Sequence, residues 1–303
     1  MEPTIKILET RDELVALEEL QQLVWPGDDR EIVPAHMLIA AVNHGGLAVG
    51  AFAPAAGNGA QILVGFVFGF PCFYPTPDGP RSMHCSHMLG IHPDYRDQGL
   101  GFLLKRAQWQ MVRHQGLDRI VWTYDPLMSR NAQLNIGKLG AVCNTYQRNV
   151  YGEMRDELNA GLPSDRFQVD WWVNSQRVNR RLSKRARPSL DLAHYLAAGS
   201  KVINPTQVGP AGWPLPSREL FIPNSPAQVE PGEKGEALLL VEIPSDFQGL
   251  KQADRELALE WRMHARALFE DLFAQGYLIT DFIYLPGTHP RSFYALSYGE
   301  STL

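Results

Sequence analysis

The sequence predicts a mixed α/β chain of the α+β kind, with a second, smaller α/β domain following the first. Three observations carry this. Segments with apolar residues at every second position alternate with segments of helical period from Thr4 to Tyr151. A dense run of prolines then interrupts the pattern, at positions 188, 205, 210, 214, 216, 223, 226 and 231. A strand, a long amphipathic helix and two more strands return between Ala237 and Tyr298. At 303 residues, two domains or one large one are expected, because domains average roughly 100–200 residues.

The elements follow in order. Residues 4–8 alternate and read as a strand. Thr10 with Glu13 has capping-box spacing, and Leu14, Leu17, Leu20 and Val24 continue a helix that Trp25-Pro26-Gly27 ends. Pro34 opens a shorter helix through Met37 and Ala41. Residues 47–52 form a strand, 53–60 a loop of small residues, and 61–70 an almost wholly apolar strand. A strand at 83–91 precedes a helix at 99–115, whose periodicity runs through Leu103, Leu104, Ala107 and Met111. Next come a strand at 119–124, a short helix at 128–139 ended by Gly140, and strands at 142–151 and 167–173. After the proline-rich stretch, a strand at 237–243, a helix at 252–275 and strands at 277–285 and 292–298 are expected. The expected layout is a first domain at 1–185, a proline-rich linker or wrapping segment at 186–236, and a C-terminal α/β subdomain at 237–303.

Composition narrows the function. With 45% hydrophobic and 20% charged residues, the chain has ample material for a core, which excludes wholesale disorder. A net charge of −5 supplies no basic field, so nucleic acid is not expected as a partner. The local basic run at 177–187 reads as a solvated helix end or as a patch for an anion. Cys72, Cys85 and Cys143 are odd in number and form no CxxC, which argues against a disulfide framework or a closed zinc site and fits a reducing cytoplasm. The first residues show no signal-peptide pattern, and the most apolar run, 62–73, is too short to span a bilayer, so no membrane association is expected.

The informative stretch is HCSHMLGIHPDYRDQGLGFLLKRAQW, from His84 to Trp109. A strand ends at Ile91, a tight loop holds Arg96, Gly99 and Gly101, and a helix begins at once. The unpartnered first amides of a helix, its dipole and two glycines together make an anion site. Arg96 adds a guanidinium. No Gly-Lys-Ser/Thr of a Walker loop is present, and Leu104 occupies the place of the third glycine of a dinucleotide fingerprint. The R-x-x-G-x-G pattern between strand and helix resembles the pyrophosphate loop of the GNAT acyltransferase superfamily, and the element order from Thr4 to Tyr151 resembles that superfamily's core. A second match, SRNAQLNIGKLGA at 129–141, resembles its later helix at Ala132, Lys138, Leu139 and Gly140, with Ser129 and Asn135 departing from the usual residues. With the C-terminal strand, helix and strand at 242–282, the chain resembles a little-characterised bacterial branch of predicted GNAT proteins with an extra C-terminal domain.

The resemblance implies a central mixed sheet flanked by helices, acetyl-CoA or another acyl-CoA as co-substrate, no metal, and an N-acyltransferase of the cytoplasm. The backbone from Asp97, Gln98, Gly99 and Leu100 to Gly101 and Phe102, with Arg96, would hold the pyrophosphate, and Leu89, Gly90 and Ile91 would pair with the pantetheine arm like an added strand. His87, nine residues before Arg96, is placed where one branch of the superfamily has a base; read alone, it is a base or a hydrogen-bonded cleft histidine. Ile136 stands where many relatives have the tyrosine that protonates the thiolate. The acid is therefore elsewhere or absent, with Tyr124, Tyr146 and Tyr151 as candidates, and Asn131 and Asn135 as donors near the thiol or as caps. Asp125 reads as a site for a substrate amine or as a turn cap. Alternation places Cys85, His87, Leu89 and Ile91 on one face and His84 on the other, so these residues do not converge on a metal. Two functions follow: acyl transfer from acetyl- or succinyl-CoA to a small amine or amino acid, or a catalytically idle acyl-CoA-binding module. Homodimers are common in the superfamily, and one is an option here.

Overall fold

The computed structural model describes residues 3–27, 32–55, 60–152, 161–183, 190–218, 220, 224, 227 and 237–299. The end of the basic run, at 184–187, and a large part of the proline-rich stretch lie outside the described residues. The chain separates into two compact units. One takes the chain to Trp122 and adds Trp172–Asn174; the other holds the remainder of the described residues.

In the first unit, strands β1 (Thr4–Ile7), β2 (Leu47–Pro54), β3 (Gln61–Tyr74) and β4 (Arg81–Ile91) pair antiparallel in that order, and the part of β5 (Arg119–Tyr124) up to Trp122 joins β4 in parallel. Helix α1 (Arg11–Val24) starts at the expected capping box: Thr10 Oγ1 accepts from Glu13 N, and the Glu13 carboxylate accepts from Thr10 N. Its apolar stripe, Leu14, Leu17, Leu20 and Val24, packs with Leu38 of α2 (Ala35–Asn43) over Leu8, Ala48, Phe66 and Phe68. Helix α3 (Leu100–His114) buries Leu100, Leu104, Lys105, Gln108 and Val112. That face is rotated from the one that Leu103, Ala107 and Met111 suggest, because it turns two polar residues into the interior.

The returning segment completes this unit. Val173 N donates to Asp118 O (2.9 Å), Trp109 Nε1 donates to Val173 O (2.8 Å), and Arg113 Nε donates to Asn174 Oδ1 (3.0 Å).

The second unit contains α4 (Ser129–Ala132), which runs into a π-helical stretch at Gln133–Lys138, then β6 (Val142–Gln147) and β7 (Arg166–Trp172) as far as Trp171. After α5 (Gln176–Leu182), the described part of the proline-rich stretch contains regular elements that its composition does not announce. It holds α6 (Leu192–Ala197), β8 (Lys201–Val202) and a small pair, β9 (Gln207–Val208) with β10 (Pro214–Leu215). Strand β11 (Leu238–Ile243) pairs with β8 in parallel and with β13 (Arg291–Tyr298) antiparallel, and β12 (Tyr277–Leu285) lies between β13 and β6. The helix expected at 252–275 is α8 (Arg255–Ala274), and a further short helix, α7 (Phe247–Ala253), precedes it. Asp254 separates the two: its backbone is extended and its carboxylate caps Leu257 N at 2.9 Å. The stripe of Leu257, Trp261, Ala265, Leu268 and Leu272 is buried, as its spacing requires.

Candidate functional site

The first unit places His87, Leu89–Ile91 and the 96–102 loop on one strand–loop–helix segment, and two features of β4 shape it. The first is a bulge. Phe68 pairs with Met88 and Phe70 with Cys85, so two β4 residues, Ser86 and His87, stand opposite the single residue Gly69. Gly69 is required there, since a Cβ would collide with the His84 ring and the Cys85 carbonyl. The bulge reverses the alternation beyond it. The His87 ring meets Phe68 (centroids 6.3 Å) and Phe70 (5.8 Å), which pack with the α1 and α2 cluster. Ile91 meets Leu104 of α3 across Gly65, on the other face. His87 therefore does not share a face with Leu89 and Ile91, contrary to simple alternation. The second feature is a parting of strands: the described β4–β5 pairs are His84–Ile120 and Cys85–Val121 alone. The β4 backbone at 86–91 has no described strand partner on that side.

The loop that follows is built to leave a helix end open. Pro93–Tyr95 forms a 3₁₀ turn, with His92 Nδ1 accepting from Asp94 N. Asp97 (φ 64°) and Gly99 (φ 78°) take left-handed conformations, and Gly99 starts α3 with no side-chain cap. The place of a Gly99 Cβ is open space, and the first turn of α3 holds no carboxylate. These features fit an anionic group approaching the helix amides. Arg96 turns back onto the protein: its guanidinium donates to the Ile91 and Val24 carbonyls at 3.4 and 3.5 Å, so it braces the loop. His87 is exposed on its strand. The partial desolvation of its ring lowers its pKa below the ordinary 6.5, which keeps it neutral, and able to accept a proton, at pH 7.

Tyr124, Asn131 and Asn135 belong to the second unit. Tyr124 is buried, with its hydroxyl 3.2 Å from that of Tyr294, which donates to Pro126 O; burial raises the Tyr124 pKa well above its ordinary value. Asn131 is exposed, whereas Asn135 and Ile136 are buried in the π-helical stretch. Tyr146 donates to Asp165, which also takes two bonds from Arg266. The Asp125 carboxylate is fully engaged: it caps Leu127 N (2.9 Å) and receives both terminal nitrogens of the buried Arg262. It serves as the turn cap.

The sequence reading missed a buried polar cluster in the first unit. Lys105 Nζ donates to Ser86 Oγ (2.7 Å) and Gln108 Oε1 (3.2 Å), and lies 3.7 Å from the Trp122 ring centroid. The Gln108 amide donates in turn to His84 Nε2 (3.2 Å), leaving His84 Nδ1 buried without a partner. Burial lowers the His84 pKa to about 3 and that of Lys105 to about 7. Among the described residues no cluster of side chains suits a metal ion, and no helix is long and apolar enough to cross a membrane.

Several solved structures are similar to part of this chain. An acetyltransferase of the GNAT family from Streptococcus pneumoniae is 18% identical, covers 56% of this chain and 98% of its own, and has a TM-score of 0.41. Arabidopsis thaliana NAA60, in complex with acetyl-CoA, is 14% identical over 56% of this chain and 99% of its own, with a TM-score of 0.44. The yncA protein of Salmonella typhimurium, solved with its cofactor acetyl-CoA, is 14% identical over 63% of this chain and 99% of its own, with a TM-score of 0.40. No protein-family model and no curated protein matches the chain.

Proposed function

We propose that the chain is a GNAT-type N-acyltransferase that moves an acetyl or succinyl group from CoA to a small amine or amino acid. The observation that carries this is the β4–α3 junction. An R-x-x-G-x-G loop ends in a left-handed, uncapped Gly99 at a helix start, directly after a strand whose 86–91 edge has no described partner on the β5 side. The helix amides would hold the pyrophosphate. The β4 edge at Leu89–Ile91 would pair with the pantetheine arm, and a backbone amide there would polarise the thioester carbonyl. His87, neutral at pH 7, would take the proton of the attacking amine directly or through water, and the acyl group would pass directly to the amine through a tetrahedral intermediate whose collapse breaks the C–S bond and releases CoA as the thiolate. We place the protein in the cytoplasm and leave a homodimer open.

Thermal unfolding with CoA, acetyl-CoA or succinyl-CoA tests the reading. Ligand at 100 times its Kd stabilises by about 2.7 kcal/mol, a rise of roughly 5–10 °C in Tm. No rise at millimolar ligand refutes the assignment. One observation favours the second reading, an idle acyl-CoA-binding module: Ile136, at the position of the usual acid, is a fully buried aliphatic residue. His87→Ala separates the two. Lost turnover with unchanged CoA affinity supports the enzyme, whereas CoA binding without turnover on any amine supports the module.

A further inference from the structure

The Lys105 cluster has no part in the chemistry above, and its location is specific. Cys85–Val121 is the last described pair between β4 and β5. The next residue on each strand is Ser86 and Trp122, and the Lys105 amine touches both: 2.7 Å to Ser86 Oγ and 3.7 Å to the Trp122 ring centroid. Lys105 is 2% exposed and comes from α3, the helix that follows the candidate anion loop. Ser86 is also the first of the two residues in the β4 bulge, and His87 is the second. One amine thus meets the strand fork, the bulge and the helix of the loop.

We propose that Lys105 is a positioning residue: its amine clasps Ser86 and Trp122 where β4 and β5 part, and so fixes the bulge that presents His87 and the free β4 edge. The inference rests on the acyl-CoA reading for its functional meaning, but its structural content stands separately. A strand with an extra residue can slip, and a slip by one turns a side chain to the opposite face. Ser86 is pinned on the α3 side by Lys105, while His87 packs on the other side against Phe68 and Phe70. Gln108, itself fully buried, holds Lys105 from the same helix and reaches His84 on β4. The clasp therefore grips β4 just before and within the bulge.

The test uses the full chain and two variants, Lys105→Met and Ser86→Ala, each removing one end of the same bond. The primary readout is the imidazole NMR signal of His87 in the ligand-free protein, assigned with His87→Gln. Both variants should move that signal from its wild-type position in the same direction. They should also weaken acetyl-CoA binding by roughly tenfold in calorimetry, the equivalent of one backbone bond to the displaced β4 edge. A merely structural role predicts a lower Tm with the His87 signal unmoved, and that result overturns the proposal. If Lys105→Met does not fold, Ser86→Ala, which deletes one oxygen, decides the question. If the wild-type chain does not bind acetyl-CoA, the proposed function falls, while the His87 comparison still decides whether the clasp exists.

Discussion

Replacing Lys105 by methionine removes a buried amine while keeping an unbranched side chain of similar length. In the folded protein burial lowers the Lys105 pKa from 10.5 to about 7. At about 1.4 kcal/mol per pH unit, keeping the proton in the interior costs on the order of 5 kcal/mol. Below pH 7 both folded and unfolded chains are protonated, and the folded state bears the whole cost. Between pH 7 and 10.5 the unfolded chain binds more protons than the folded one, so stability rises with pH; above 10.5 the cost is gone. The variant lacks this rise. Urea unfolding of both proteins at several pH values measures it. Wild type should gain on the variant with a slope that approaches about 1.4 kcal/mol per pH unit above pH 8, or about 2 kcal/mol in all between pH 7 and 9. Groups that titrate in both proteins cancel in the difference. The loss of the bonds to Ser86 and Gln108 adds a constant offset of about 1–3 kcal/mol. A difference that stays flat with pH would refute the argument, because it would mean that the amine is solvated or permanently charged.

Three further outcomes are expected. If His87 is the base, kcat/KM with a competent amine holds its full value at pH 7 and declines only below the ordinary histidine value of 6.5, because desolvation lowers the His87 pKa; a pH profile with its acid limb above 7 contradicts this. Asp125→Ala leaves the buried Arg262 without its carboxylate, while the Arg262 Nε already lacks a partner, so a loss of about 3–5 kcal/mol is expected in denaturant titration. Gly99→Ala puts a side chain at φ 78° and into the open helix start; about 1 kcal/mol of stability and most of the CoA-induced Tm rise should disappear, which differential scanning fluorimetry reads directly.

Much of the element order was legible because it rests on local signals. The capping box at Thr10 and Glu13, the apolar stripe of α1 and the glycine-rich helix start at Gly99 each occupy a few neighbouring residues, and each is found where its pattern places it. The bulge at Ser86 and His87 was not legible, because it arises from pairing with Gly69 and no residue on β4 announces it. Lys105 drew no reading of its own from the sequence. The available signal was weak: Leu104, Lys105, Gln108 and Val112 share one helical stripe, and only tertiary packing decides that this stripe faces inward. Helix α7 was hidden as well, because Asp254 ends it after seven residues, too short a span for a helical period to show.

The return of Trp172–Asn174 to the first unit has a consequence for synthesis. Trp109 and Asp118 find their partners on Val173, 64 and 55 residues later in the chain. A nascent chain that has reached only Trp122 therefore leaves these bonds open. Closing so long a loop adds an entropic barrier that local helix formation does not face. The first unit should gain protection from proteolysis as the chain lengthens past residue 174, so a truncation series ending on either side of Val173 would mark the step at which it locks.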